Sequence, residues 1–244
     1  MECQSKRNDI VISFFILYNF IGDRMKLFIG DRQLDLTDKE LDSLYLNEGH
    51  EITAYLLGKD VLKLYKDNTQ TDKFTVKDIM RFSKLKLNRF LVPNKPVRDD
   101  SLELVGFTAP YKVEDPFDTL YDINGKDFKR EVKIMLGDIK ELSRNKIEID
   151  DLHLDNIIYS DNAIYFSDCG CFKYKQDEDT REIERTNMVR FEYFIVNYLL
   201  ARSLAKKNRK KLESEYEECN NIEEFISTMD DKENIGNFAK RVIR

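Results

Sequence analysis

Residues 151–170, DLHLDNIIYSDNAIYFSDCG, decide how this chain is read. Two short apolar runs, Ile157-Ile158-Tyr159 and Ala163-Ile164-Tyr165-Phe166, flank Ser160-Asp161-Asn162, whose residue types favour a tight turn. The stretch therefore predicts a short hairpin. Before it, Asp151 and Asn156 stand five positions apart in an irregular, carboxylate-rich segment, 147–156. After it comes Asp168-Cys169-Gly170, a carboxylate at a strand end beside a glycine, where a backbone bend can aim the side chain inward.

Working outward, Phe128, Val132, Met135, Leu136, Ile139 and Leu142 repeat with helical spacing and predict an amphipathic helix over 127–144. Further on, a long helix is expected over about 180–207 and a last one over roughly 222–242. The first half has a different character. Residues 44–66 hold two strand-like runs around Gly58-Lys59-Asp60, with Lys63 in the middle of the second, VLKLYK. Phe74, Ile79, Phe82 and Leu85 fit one face of a helix over 74–87. Pro93 and Pro96 break that pattern, and 89–98 and 102–113 read as two more strands. Gly106, Pro110 and Pro116 cluster where the two halves meet.

The 244 residues suffice for one or two domains with a sizeable core. With 41% hydrophobic residues the chain is too apolar for disorder, and only 9 Gly and 4 Pro exclude collagen-like or low-complexity sequence. Forty Lys and Arg against 46 Asp and Glu give a net charge of −6, so no overall field draws nucleic acid, and no nucleic-acid partner is expected. Cys3, Cys169, Cys171 and Cys219 form neither a disulfide framework nor, with two histidines, a zinc site; they read as thiols of a reducing cytoplasm. The run IVISFFILYNFI, residues 10–21, falls short of the ~20 apolar residues that span a bilayer, so no stable membrane anchor is expected. No small-residue cleavage site follows it, and Met25 is read as the natural start, with 1–25 an extension outside the fold.

The order Lys63, Asp151, Asn156, hairpin, Asp168-Cys169-Gly170 resembles the protein-kinase family, whose catalytic-loop Asp is followed five residues later by Asn and, after a hairpin, by Asp-Phe-Gly. The resemblance covers about residues 44–200. It implies a two-lobed α+β fold, with a small antiparallel-sheet N-lobe over 26–106, a mainly helical C-lobe over 107–244, and ATP with Mg²⁺ between them. It further implies Asp151 as the group accepting the proton of a hydroxyl acceptor, Lys63 on the α/β phosphates, Gly49 in the phosphate-covering turn, and Asn156 and Asp168 as magnesium ligands. DLHLDN is also similar to aminoglycoside and choline kinases, where His follows the catalytic Asp by two; His153 would touch the phosphates or order the loop. The implied activity is ATP-dependent phosphoryl transfer to a hydroxyl, in the first instance on a protein. A small-molecule kinase and a pseudokinase serving as a nucleotide-binding interaction module are the alternatives.

The sequence departs from that pattern in places. Ile149-Asp150 stand where the family has His-Arg, which removes the usual partner of a phosphorylated loop. Cys169 replaces Phe. No Glu occurs between 67 and 98, so a carboxylate partner for Lys63 must be Asp78 or Asp72, or be missing. Only Gly49 remains of the glycine-rich turn, and little chain follows Asp168 to display a peptide. The basic run Lys206–Lys211 is expected at the C-terminus of the 180–207 helix, where cations favour the dipole. N-terminal sequencing of native protein is expected to give a peptide beginning at Met25; one beginning at Met1 or Glu2 would contradict the late start.

Overall fold

A computed structural model describes residues 24–66, 73–115 and 117–243; most of the 1–25 extension, with its apolar run, and Asp72 lie outside the described residues. The architecture is α+β. Strands β1 (Arg24–Ile29), β2 (Arg32–Thr37), β3 (Tyr45–Glu48), β4 (Ile52–Leu57), β5 (Asp60–Tyr65), β6 (Lys95–Arg98) and β7 (Leu104–Pro110) form one curled antiparallel sheet, in the order β2-β1-β6-β7-β5-β4-β3. The β4–β5 turn falls where expected, and Gly58 takes a positive φ of 67° there.

Several boundaries differ from those expected. Arg24 and Met25 already belong to β1, paired with Thr37 and Leu36, so an extension ending at 25 cuts into the strand. A division at 106/107 would likewise cut β7. Gly106 is not a linker residue but sits opposite Leu64 in the middle of the β5–β7 pair. A Cβ at position 106 would lie 2.1 Å from the carbonyl oxygen of Lys63, so only glycine lets the two backbones approach this closely.

Two helices, not one, accompany the sheet. Helix α1 (Asp38–Leu44) buries only Leu41, which leaves almost no periodic signal; a Thr37–Glu40 capping box starts it. Helix α2 (Val76–Phe82) is shorter than 74–87, because the segment after Ser83 leaves the helix to reach the other half of the molecule. Phe74, Ile79 and Phe82 are buried as anticipated.

The rest of the chain is mainly helical: α3 (Gly125–Arg144), α4 (Thr180–Tyr193), α5 (Lys206–Glu217), α6 (Ile222–Ser227) and α7 (Ile235–Val242), making seven α-helices among the described residues. The expected hairpin is present as β9 (Ile157–Ser160) and β10 (Ala163–Phe166), with Asp161 and Asn162 both left-handed at its turn. Beside it, β8 (Ile147–Glu148) pairs with β11 (Lys173–Tyr174). The expected 180–207 helix is interrupted. Helix α4 continues as a π-helical stretch, Phe194–Leu200, and a single 3₁₀ turn, before Leu204 turns extended. Lys206–Lys211 therefore opens α5 instead of closing the previous helix, and the dipole opposes this run. Asn221 and Asn234, each capping a new helix, divide 222–242 into two.

Asn94 N already donates to the Thr108 carbonyl of β7 at 2.8 Å, but residues 89–91 do not join the sheet as expected. They cross to the helical half and lie beside β10, where Phe90 forms a parallel bridge with Phe166. Phe166 N donates to the Arg89 carbonyl and Leu91 N to the Phe166 carbonyl, both at 2.8 Å. Two buried carboxylates of α3 hold this crossing. Asp138 accepts from Asn88 N, Asn88 Nδ2 and Arg89 N. Glu131, wholly buried, binds Arg89 Nε at 2.5 Å and Nη2 at 3.0 Å, and also accepts from Ile164 N of β10. One hydrophobic core then runs without a break from Tyr65, Phe74 and Phe107 to Phe128, Phe166 and Phe194. No helix among the described residues is long and apolar enough to cross a membrane. Arg89→Ala removes the bidentate partner of the buried Glu131 carboxylate, leaving it only Arg130 Nε and Ile164 N at 3.3 Å, and is expected to cost about 3 kcal/mol, seen as a lower denaturant midpoint; an unchanged midpoint would contradict the clamp.

Candidate functional site

The end of β10 organises the site. Ser167 N donates to the carbonyl of Asn156 at 2.8 Å, tying the residue before Asp168 to the end of the Asp151–Asn156 loop. Lys63 reaches across from β5: its Nζ donates to the Ser167 carbonyl at 3.1 Å and lies 3.7 Å from Asp168 Oδ1. Gly170 N donates to the same Oδ1 at 3.2 Å, so the bend after Asp168 turns back onto its carboxylate. Asn156 is buried and donates through Nδ2 to the Asp151 carbonyl at 3.0 Å. No hydrogen bond to its Oδ1 is made among the described residues.

Lys63, Gly49, Asn156 and Asp168 line one cleft of about 390 Å³. Ala54, Val61, Leu91, Ala109 and Ile158 give it apolar walls, and the segment Pro110–Lys112 closes one side. Gly49 occupies the β3–β4 turn, where its N–H donates to the Ile52 carbonyl at 2.8 Å. Asp151 lines a second cleft, of about 710 Å³, between α2 and residues 170–175. Four of the expected residues thus share a cleft, while Asp151 stands at the rim of its neighbour.

His153 is not among the residues lining the first cleft. Its Nε2 lies 3.3 Å from Asp151 Oδ1 and its Nδ1 3.7 Å from Asp155 Oδ2, so both ring nitrogens face carboxylates of its own loop. The expected Lys63–Asp78 pair does not form. Asp78 is the N3 residue of the α2 capping box, accepting from Thr75 N and Oγ1, and its other oxygen binds Arg81 at 3.2 Å. A carboxylate one methylene shorter than Glu is consumed by its own helix, and Lys63 turns to Ser167 and Asp168 instead.

Asp151 has a left-handed backbone, φ 58°, a conformation that Asp tolerates better than most residues. Helix α4 steadies the chain leading to it. The buried Asn187 accepts from Ile149 N through Oδ1 at 2.7 Å and donates to the Ile147 carbonyl at 2.9 Å. Arg190, one turn later, binds Glu148 Oε1 at 3.0 Å and donates to the Ile149 carbonyl. Sequence reading missed both residues; their only trace is a three-residue spacing on one helix face. It also missed Glu131 and Asp138. Their signal was legible in principle, since two carboxylates seven residues apart fall within the apolar stripe of α3.

Protein-family models give no match to this chain, and a search of curated proteins finds none. Among the described residues no group of three or more His, Cys, Asp or Glu side chains is arranged to hold a metal on its own. Asp168 and the free carbonyl oxygen of Asn156 fit a hard cation that takes its remaining ligands from phosphate and water.

The two thiols flanking Gly170 differ. Cys169 is buried, and burial pushes its thiol up. Cys171 is exposed at the residue level, yet partial desolvation, then the charges of Asp151, Asp168 and Asp150, also raise it. A raised thiol leaves less thiolate at a given pH. Alkylation of Cys171, followed by peptide mapping, should therefore be slow at pH 7 and climb about tenfold per pH unit up to pH 9. A rate that levels off below pH 9 would contradict the shift.

Proposed function

We propose that this chain is an ATP- and magnesium-dependent phosphotransferase of two-lobed, protein-kinase-like build, moving the γ-phosphoryl group of ATP to a hydroxyl. The curled sheet serves as the smaller lobe and the helical portion after Pro110 as the larger. One observation carries the reading: Lys63, from the sheet, meets Asp168 at 3.7 Å at the head of a cleft that also contains Asn156 and Gly49. A cation, a carboxylate and an amide oxygen facing one another around an apolar-walled cleft suit a nucleoside triphosphate.

In this reading the apolar walls, Ala54, Leu91, Ala109 and Ile158, take the adenine ring. Lys63 exchanges Asp168 for phosphate oxygens, acting as a point charge. Asp168 and Asn156 would hold magnesium, which would supply neutralisation of phosphate charge there. The Asp151 side chain is half-exposed and faces the second cleft, where an acceptor hydroxyl can approach. Its carboxylate takes the proton of that hydroxyl, with His153 fixing its orientation from 3.3 Å.

The pseudokinase reading is favoured by one specific feature, the loss of Asp78 as a partner of Lys63. It predicts nucleotide binding without turnover. The acceptor class, protein or small molecule, is separated by radiolabelled ATP offered with generic protein acceptors and with a panel of aminoglycosides and amino alcohols.

ATP with Mg²⁺ at about one hundred times Kd is expected to stabilise the protein by about 2.7 kcal/mol, a rise in Tm of several degrees, whereas ATP with chelator gives less. No shift at millimolar nucleotide would remove both enzyme readings, the protein kinase and the small-molecule kinase. Asp151→Asn is expected to lower turnover by about 10²–10⁴-fold while leaving ATP affinity nearly intact. Lost binding with surviving turnover would overturn the assigned role.

A further inference from the structure

Asp151 is held in a left-handed backbone by a specific set of charges outside the catalytic residues. Its own N–H donates to Asp150 Oδ1 at 3.1 Å. That same oxygen lies 3.6 Å from Arg190 Nη1, and the other oxygen of Asp150 lies 3.6 Å from Lys173 Nζ. Arg190 also binds Glu148 and the Ile149 carbonyl, so one guanidinium touches three consecutive residues ahead of Asp151. Glu148 is in turn 3.6 Å from Lys175, and its backbone pairs with Lys173 across β8–β11. The cations come from α4 and from the strand that follows Asp168. The carboxylates come from the approach to Asp151.

We propose that Asp150 and Arg190 are positioning residues for phosphoryl transfer. Asp150 caps the Asp151 amide and so holds the left-handed turn that aims the Asp151 carboxylate at the second cleft. Arg190, with Lys173, fixes Asp150. A non-glycine residue in this conformation is strained by about 1–3 kcal/mol and persists only where its surroundings over-determine it. Asp150 stands where the resembled family carries a cation that waits for a phosphorylated loop. Here the sign is reversed and the partner cations are built into the chain, so the loop is set without a phosphate.

The inference rests on the phosphotransferase reading, and the experiment separates the two. Wild-type turnover and Mg²⁺-ATP affinity are measured first; absence of turnover sinks the functional reading itself, and this role with it. With turnover established, Arg190→Ala and Asp150→Ala are expected to lower kcat by about 10²-fold, the scale of a small misplacement of a catalytic group. KM for ATP stays within about twofold in both, because neither residue borders the nucleotide cleft. Arg190→Lys and Asp150→Asn recover part of kcat, the first by keeping the charge and the second by keeping an acceptor for the Asp151 amide. Turnover that survives both alanine variants would overturn the proposal. So would a parallel loss of ATP affinity and Tm that the conservative variants fail to rescue, since that pattern marks a merely structural role. Cys171, whose Sγ lies 3.9 Å from Asp151 Oδ2, gives a readout that needs no turnover. Its alkylation is expected to quicken severalfold in Arg190→Ala as the loop loosens, and an unchanged rate would count against the role.

Discussion

Two carboxylates buried in a helix govern where everything else can lie. Glu131 and Asp138 sit on the face of α3 that should be apolar, and neither can remain ionised there without partners. Both find partners in one short segment, the Asn88 and Arg89 amides, the Asn88 side chain and the Arg89 guanidinium, with Arg130 and the Ile164 amide adding to Glu131. The demand for partners draws residues 88–91 away from the sheet and lays them along β10. Leu91 and Phe166 are then fixed by backbone hydrogen bonds, and the Phe90 and Phe166 rings stack at 4.7 Å. Replacing such buried charges by apolar groups of similar volume is often neutral in a generic core. It would leave the crossing segment unspecified.

That crossing brings the candidate site together. Phe166 is two residues from Asp168, so what fixes Phe166 also fixes the end of β10. Ser167 adds a hydrogen bond to Asn156, and Lys63 adds one from the sheet to Ser167. Gly106 lets β7 approach the backbone of Lys63 closely enough to hold that strand in place. The meeting of Lys63 with Asp168 is therefore the last in a series of contacts that begins in the core of α3. Its polar groups come from β5 and, about a hundred residues later, from the two ends of the 157–166 hairpin, which Ser167 N ties together at the Asn156 carbonyl.

Much of this was legible in the residues. The hairpin over 157–166 followed from Asp161-Asn162 between apolar runs, and both residues indeed adopt the left-handed conformation. The six apolar positions of α3 are all buried. The resemblance to the protein-kinase family singled out Lys63, Asn156 and Asp168, which line one cleft. Short or weakly periodic elements were not legible: α1 buries one residue, β2 offers only six residues of mixed polarity, and β1 begins inside the stretch read as an extension, at Arg24 and Met25. The 180–207 helix failed because helical periodicity continues through the π-helical stretch, while the break comes from two extended residues, Leu204 and Ala205. The partner of Lys63 failed for a chemical reason. Of the two carboxylates offered, Asp72 lies outside the described residues, and Asp78 is engaged in a capping box with Thr75 three residues before it. Polar clamps such as Arg190 on Glu148 leave no pattern in sequence, because their partners are 42 residues apart.

The most direct measurement of the central claim uses ATP with Mn²⁺ in place of Mg²⁺, bound to protein labelled with ¹⁵N. Paramagnetic broadening at low Mn²⁺-ATP should reach the Asn156 side-chain amide and the Gly170 backbone amide first, with the amides of α7 untouched. Broadening that leaves Asn156 and Gly170 sharp, or that centres elsewhere in the molecule, would contradict a shared nucleotide and metal site at Lys63, Asn156 and Asp168.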